Sequence, residues 1–228
     1  MAINQKNDRL VDHRGENFMV DTSPLRLYHA PRTRSVRVRW LLEEMGLPYS
    51  LETVAFTKRP AGDERYGEIH PLRKVPALED NGRVMFESVA ILQYLMGRYG
   101  PTELDVRPDE TDYDLYLQWL HFGESGMIMP VSLLLAHTML LPEKVRNPGI
   151  AASARADTTK ALIMLAEHGL KDRDYLAGDR FTAADISVGY MLFLLKIIKQ
   201  FDDAPEAVKD YFARITARPS WAIASATD

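Results

Sequence analysis

From Leu25 the apolar pattern changes period repeatedly, and beyond residue 108 it never returns to the alternation of a strand. That switch constrains the fold more than any other feature. An α/β unit is followed by one built of helices alone. Leu25, Arg26, Leu27 and Tyr28 alternate as a short strand, which Ala30 and Pro31 stop. Val38, Leu41, Leu42 and Met45 then recur at helical spacing until Gly46 and Pro48. Residues 49–54 read as a second strand. Residues 57–70 are charged and hold Pro60, Gly62 and Gly67, the makeup of a loop with a short helix. Residues 74–79 read as a strand entered through Pro76. Asp80, Asn81 and Gly82 make a hairpin turn before a strand at 84–86. Glu87 and Ser88 open another helix, with Ile91, Leu92, Leu95 and Met96 on one side.

The order β-α-β-α-β-β-α predicts a small sandwich of the thioredoxin type. It is too short for a doubly wound dinucleotide domain, and no GxGxxG follows the first strand. Residues 100–108 (GPTELDVRP) have the composition of a linker. Helical patterns follow at 109–141, interrupted near Gly123, Gly126 and Pro130, then at 151–170, 183–200 and 204–217, the last ended by Pro219. The expected division is an arm over 1–24, an α/β domain over 25–100 and an all-helical domain over 109–228. The arm is polar, lacks an apolar core segment and carries Asp8, Asp12, Glu16 and Asp21. It therefore reads as a loosely attached extension rather than a signal peptide or mitochondrial presequence.

The 228 residues include no cysteine, which excludes disulfides, cysteine zinc sites, iron–sulfur clusters and a protein thiol nucleophile. A net charge of −4 gives no global field for nucleic acid or an anionic membrane. No apolar run approaches the ~18 residues of a membrane span. His29, His121, His137 and His168 lack metal-ligand spacing with carboxylates, so no metal is expected.

Three motifs remain. The first runs from Arg34 to Tyr49 (RSVRVRWLLEEMGLPY), and the second from His70 to Asp80 (HPLRKVPALED) with Phe86, Glu87 and Ser88 after it. The third runs from Tyr175 to Ser187 (YLAGDRFTAADIS). In this order and at these separations the chain resembles the glutathione transferase family over about 25–221. The resemblance implies a thioredoxin-like domain joined to an all-helical one. It also implies a cytoplasmic, homodimeric detoxification enzyme that takes glutathione as co-substrate and carries no bound cofactor. The second substrate would be an apolar electrophile or a hydroperoxide.

Glutathione needs an exposed backbone edge, an anion cradle and a device that lowers its thiol pKa from about 8.5. On its residues alone, Pro76 reads either as a strand-entry proline or as a cis proline, a form ~5–6% of such bonds adopt. The resemblance implies the cis form, with the Val75 backbone pairing with the ligand as an added strand would. Ser88 at a helix start can receive the γ-glutamyl carboxylate and Glu87 the ammonium, beside a plain capping role for Ser88. Lys74, Arg73 and Lys58 are candidates for the glycyl carboxylate.

The activator does not transfer from the family. Its usual serine and cysteine positions hold Arg32 and Arg34 here, and a mixed-disulfide mechanism has no cysteine to use. Three kinds of candidate stay open: the Thr33 hydroxyl, an arginine charge (Arg32 or Arg34), and Ser35. Tyr113, Tyr116, Trp119, Phe122 and Met127 lie on the helix that faces the electrophile pocket in the family, with ordinary helix packing as the alternative. The box Thr182-Ala-Ala-Asp185 reads as structural. A non-catalytic binding module on the same fold, or a carrier of apolar ligands, are the competing functions.

Overall fold

The computed structural model describes residues 9–11, 17–19, 24–55 and 61–227. Lys58 and most of the expected arm lie outside the described residues. Within the arm, β1 (Arg9–Val11) pairs antiparallel with β2 (Asn17–Met19).

The α/β domain is laid out as its periodicity predicts. β3 (Leu25–His29) is followed by α1 (Ser35–Met45), β4 (Ser50–Thr53) and the short α2 (Tyr66–Ile69). Then come β5 (Ala77–Asp80), β6 (Arg83–Phe86) and α3 (Ser88–Tyr99). The sheet order is β4-β3-β5-β6. β3 and β4 are parallel, which a hairpin cannot achieve, and α1 is their crossover. The other pairs are antiparallel, β5 and β6 through the predicted turn. Gly46 ends α1 at φ 62°, with its N–H on the carbonyls of Leu42 and Glu43, a left-handed cap that glycine adopts without a Cβ penalty. The strand expected over 74–79 begins only at Ala77, because the cis Val75–Pro76 bond turns the chain just before it. Gly100–Pro101 is also cis.

The second half is helical: α4 (Tyr113–Ser125), α5 (Ile128–Leu135), α6 (Pro148–Met164), α7 (Ala183–Ile197), α8 (Glu206–Thr216) and α9 (Pro219–Ala224). The long pattern at 109–141 resolves into α4, α5 and a π-turn at Ala136–Leu140. The break falls at Gly126 and Met127, whose N–H groups share the Phe122 carbonyl. Pro130 sits in the first turn of α5, where its missing N–H leaves no hydrogen bond unmade. Pro219 was expected to stop a helix and instead starts α9, since a proline's fixed φ suits a first helical position.

α4 and α7 are pressed together at Gly123, where an added Cβ would stand 2.5–2.7 Å from Ser187. α7 is buried on nearly every side, and its start is closed by the predicted box. The Asp185 carboxylate accepts from Thr182 N at 2.7 Å, Thr182 Oγ1 at 3.1 Å, Leu176 N at 3.1 Å and Tyr211 Oη at 2.9 Å. Trp40 of α1 packs against Trp221 and Phe181, so one core runs through both domains. Among the described residues no helix is long and apolar enough to cross a membrane.

Candidate functional site

Strand register gathers the site. Tyr28 faces Ala77, and Ala77 faces Phe86. The next residues outward, His29, Pro76 and Glu87, therefore leave the sheet at one end. That end brings together the turn into α1, the cis proline and the start of α3.

At the start of α3, Glu87 is exposed and holds φ 69°, a left-handed conformation unusual for a residue with a Cβ. Strain of this kind persists only where the surroundings impose it, and it collects at ligand sites. Ser88 is buried, and its hydroxyl accepts from Arg37 Nη1 at 3.1 Å. Arg37 is wholly buried. It also donates to the Ser187 carbonyl at 3.1 Å, the Gly123 carbonyl at 3.1 Å and the Glu124 carboxylate, and it lies 4.8 Å from the Tyr190 ring centre. Burial pulls the Arg37 pKa down, opposed chiefly by Glu124. Burial also works to raise the Glu124 carboxyl, but the charges of Arg37 and Arg34 outweigh it and hold it below the usual value. The sequence reading missed this cluster. Its signal is position: Arg37 stands three and four residues before Trp40 and Leu41, on the face of α1 that enters the core.

Around the cis bond, the Tyr66 hydroxyl donates to the Lys74 carbonyl at 2.6 Å and so holds the approach to Val75. His70 stacks on Phe86 at 4.2 Å between ring centres. Arg73 is occupied: its guanidinium donates to the carbonyls of Ala61, at 3.1 Å, and Gly62. That bracing takes it out of the set of cations free to meet a ligand. The Lys74 side chain is exposed, and its ammonium has no hydrogen-bond or ion-pair partner among the described residues. Arg32 is exposed at φ 60°.

The activator candidates are separated by their surroundings. Arg34 is bound to Glu124 at 2.5 Å. Ser35 is fully buried, 2.8 Å from His29 Nδ1 and 2.8 Å from Thr33 Oγ1. Thr33 is 9% exposed, and its hydroxyl donates to the Ala30 carbonyl at 2.7 Å. Of the two residues, Ser35 is closed off entirely and Thr33 keeps a small exposed fraction.

Tyr116 and Trp119 do not line an open pocket. Each is 1% exposed, with the Tyr116 hydroxyl on Met96 Sδ and the indole packed edge-on against Phe122 at 5.1 Å. The helix turns these two rings into the core, and Phe122 is the member of the trio that stays partly exposed. A cleft of about 470 Å³ lies elsewhere, between the β4 end and α2, lined among others by Tyr28, Thr53, Asp63 and Tyr66. It includes none of Thr33, Val75, Glu87 or Ser88.

Comparison with known proteins agrees with this architecture. Residues 23–97 match the family model of the glutathione S-transferase N-terminal domain, and residues 148–214 that of its C-terminal domain. Glutathione S-transferase 3 of Schizosaccharomyces pombe is 26% identical over 209 residues, 87% of this chain and 86% of that protein. Glutathione S-transferase theta-1 of Rattus norvegicus is 30% identical over 150 residues, 61% of this chain and 60% of that protein. Among solved structures, the glutathione transferase URE2P6 of Phanerochaete chrysosporium, in complex with oxidized glutathione, superposes with a TM-score of 0.77. It is 26% identical and covers 89% of this chain and 95% of that one.

Proposed function

Because this chain belongs to the glutathione transferase family, we propose that it binds glutathione at the His29–Pro76–Glu87 end of the sheet and presents its thiolate to an electrophile or hydroperoxide. The observation that carries this reading is the state of Ser88. Arg37 donates to its oxygen, and its own proton has no acceptor among the described residues, so it can donate to a ligand carboxylate. The free N–H groups of the first turn of α3 face the same anion. Glu87 takes the ligand ammonium, the Val75 backbone pairs with the cysteinyl unit, and Lys74 meets the glycyl carboxylate.

In this reading Thr33 is the residue that touches sulfur. Arg34 is paired with Glu124 and Ser35 is buried. A hydroxyl donated to the thiolate at a helix start stabilises it relative to the thiol, whose proton leaves to water. Conjugation and hydroperoxide reduction both begin from that thiolate. Phe122 and Tyr113, the partly exposed aromatic side chains of α4, are the candidates to meet the second substrate. The protein works as a symmetric homodimer in the cytoplasm, with glutathione entering as co-substrate.

The test is retention on immobilised glutathione, turnover with a panel of electrophiles and hydroperoxides, and a thiolate absorbance titration of the bound ligand. Thr33→Ala is expected to raise the bound thiol pKa by about one unit or more, with Thr33→Ser close to native. A rise only in Arg32→Ala or Arg34→Ala assigns activation to a cation instead. Retention with no turnover on any substrate supports the binding-module reading, and light scattering at the mass of one chain removes the dimer.

A further inference from the structure

Thr33 does not act alone in this geometry. We infer that His29 and Ser35 are positioning residues for its hydroxyl, forming a buried line of hydrogen bonds that fixes and polarises the donor aimed at the glutathione sulfur. The inference rests on the reading of Thr33 given above.

The line has two links. His29 Nδ1 lies 2.8 Å from Ser35 Oγ, and Ser35 Oγ lies 2.8 Å from Thr33 Oγ1. Its three members come from the last residue of β3, the turn and the first residue of α1. They are 1%, 0% and 9% exposed in order from His29 through Ser35 to Thr33, so the line runs from a dry interior to the rim of the site.

Its direction follows from what each atom has to bond. His29 Nε2 is buried with no partner among the described residues. A proton there would be an orphaned N–H, the rarest kind of buried polar group. The proton therefore sits on Nδ1 and is donated to Ser35 Oγ. The Ala30 N–H donates to the same oxygen at 3.1 Å. With both acceptor positions filled, the Ser35 hydroxyl has two acceptors in reach, Thr33 Oγ1 at 2.8 Å and the Ala30 carbonyl at 3.1 Å. That carbonyl already takes the Thr33 proton at 2.7 Å, so Ser35 donates along the shorter contact to Thr33 Oγ1. The Thr33 proton then points at the Ala30 carbonyl, 2.7 Å away. Every hydroxyl proton is placed, and the last donor in the line is Thr33.

Hydrogen bonds in series polarise one another, so a hydroxyl that accepts from a hydroxyl is a stronger donor than one standing alone. Rotation about the Thr33 Cβ–Oγ bond carries its proton from the Ala30 carbonyl to a sulfur, while Ser35 keeps the oxygen in place. No bond in the line is made or broken. Burial, followed by the charge of Arg39, pushes the His29 pKa down to about 4, so the ring stays neutral and keeps its single Nδ1 proton at neutral pH.

A line that only caps the turn into α1 would give the same coordinates, and the experiment separates the two. The bound thiol is titrated by thiolate absorbance in Ser35→Ala, His29→Leu, His29→Asn and Thr33→Ala, with KM for glutathione and the melting point measured beside it. The expected result is a bound thiol pKa raised by about half a unit to one unit in Ser35→Ala and His29→Leu. KM should change less than about twofold. His29→Asn should restore the native value, because its amide can donate from the place of Nδ1. If Ser35→Ala and His29→Leu titrate as native while Thr33→Ala is raised, the line is only structural and Thr33 still stands. If His29→Leu does not fold, Ser35→Ala alone decides. A native titration in Thr33→Ala overturns the relay together with the reading of Thr33 beneath it.

Discussion

Arg37 donates to Glu124 where α1 meets α4, and the guanidinium is fully buried while the carboxylate keeps 24% of its side-chain surface. One side chain thereby joins Ser88 of the α/β domain to α4 and α7 of the helical domain. Removing Glu124 would leave a buried guanidinium without its countercharge, a change that costs about 3–5 kcal/mol in comparable settings. We expect Glu124→Ala near the lower end, because the partial exposure of the pair admits water. Glu124→Gln, which keeps an acceptor, should cost less. Urea unfolding of the two variants checks this, and a Glu124→Ala value within about 0.5 kcal/mol of native would show that the pair carries no stability.

How much of this was legible in the sequence depends on the range of the signal. Turns and caps are local, so Gly46, the Asp80–Gly82 hairpin and the Thr182–Asp185 box were readable from adjacent residues. The cis bond at Val75–Pro76 and the helix start at Glu87 and Ser88 were readable through motifs. Arg37 and Glu124 were not, because a buried ion pair between residues 87 positions apart leaves no mark in either local pattern. Tyr116 and Trp119 show the reverse difficulty. Helical spacing shows that rings share a face, but only the packing of α4 against its neighbours shows that the face is closed. Arg73 was drawn from the same short stretch as Lys74, and nothing in that stretch foretells that it folds back on Ala61 and Gly62.

Ser88→Ala should lower two quantities at once. On the proposed binding mode the substitution removes a donor to the ligand carboxylate, worth about 1.5–3 kcal/mol or roughly 10- to 150-fold in glutathione affinity. It also strips Arg37 of one acceptor, so stability should fall by about 1 kcal/mol or more. Calorimetric binding and thermal unfolding measure the two separately. A lowered melting point with unchanged affinity would reduce Ser88 to a cap.

Asp185→Ala tests the structural half of the molecule. The carboxylate is fully buried and accepts from four donors on three parts of the chain, among them Tyr211 of α8. Each buried donor left unpaired costs about 1–3 kcal/mol, less whatever water enters. The loss should exceed about 2 kcal/mol, above an exposed cap. The thiol pKa of bound glutathione in the folded variant should stay at its native value. A melting point within a degree of native would contradict the role assigned to the box.

His29 predicts a pH dependence with a definite sign. Its folded pKa is about 4, against 6.5 for the free side chain, because burial disfavours the charged ring. A base with a lowered folded pKa contributes its stability fully above the unfolded value and loses it as pH falls toward the folded one. Between pH 7.5 and 5.0 the loss is about 2 kcal/mol, at 1.36 kcal/mol per unit below 6.5. Asp185 acts in the opposite direction in the same window. Burial raises its carboxyl to about 6, so its contribution is full below the ordinary carboxylate range and is lost as pH rises through 6. The raw stability curve therefore mixes the two slopes. The difference between the native chain and His29→Asn cancels Asp185 and isolates the ring. Urea unfolding at both pH values should show the native chain's advantage over His29→Asn shrinking by about 2 kcal/mol from pH 7.5 to 5.0. A difference that does not change with pH would mean that the ring is hydrated in solution and does not sit dry behind Ser35.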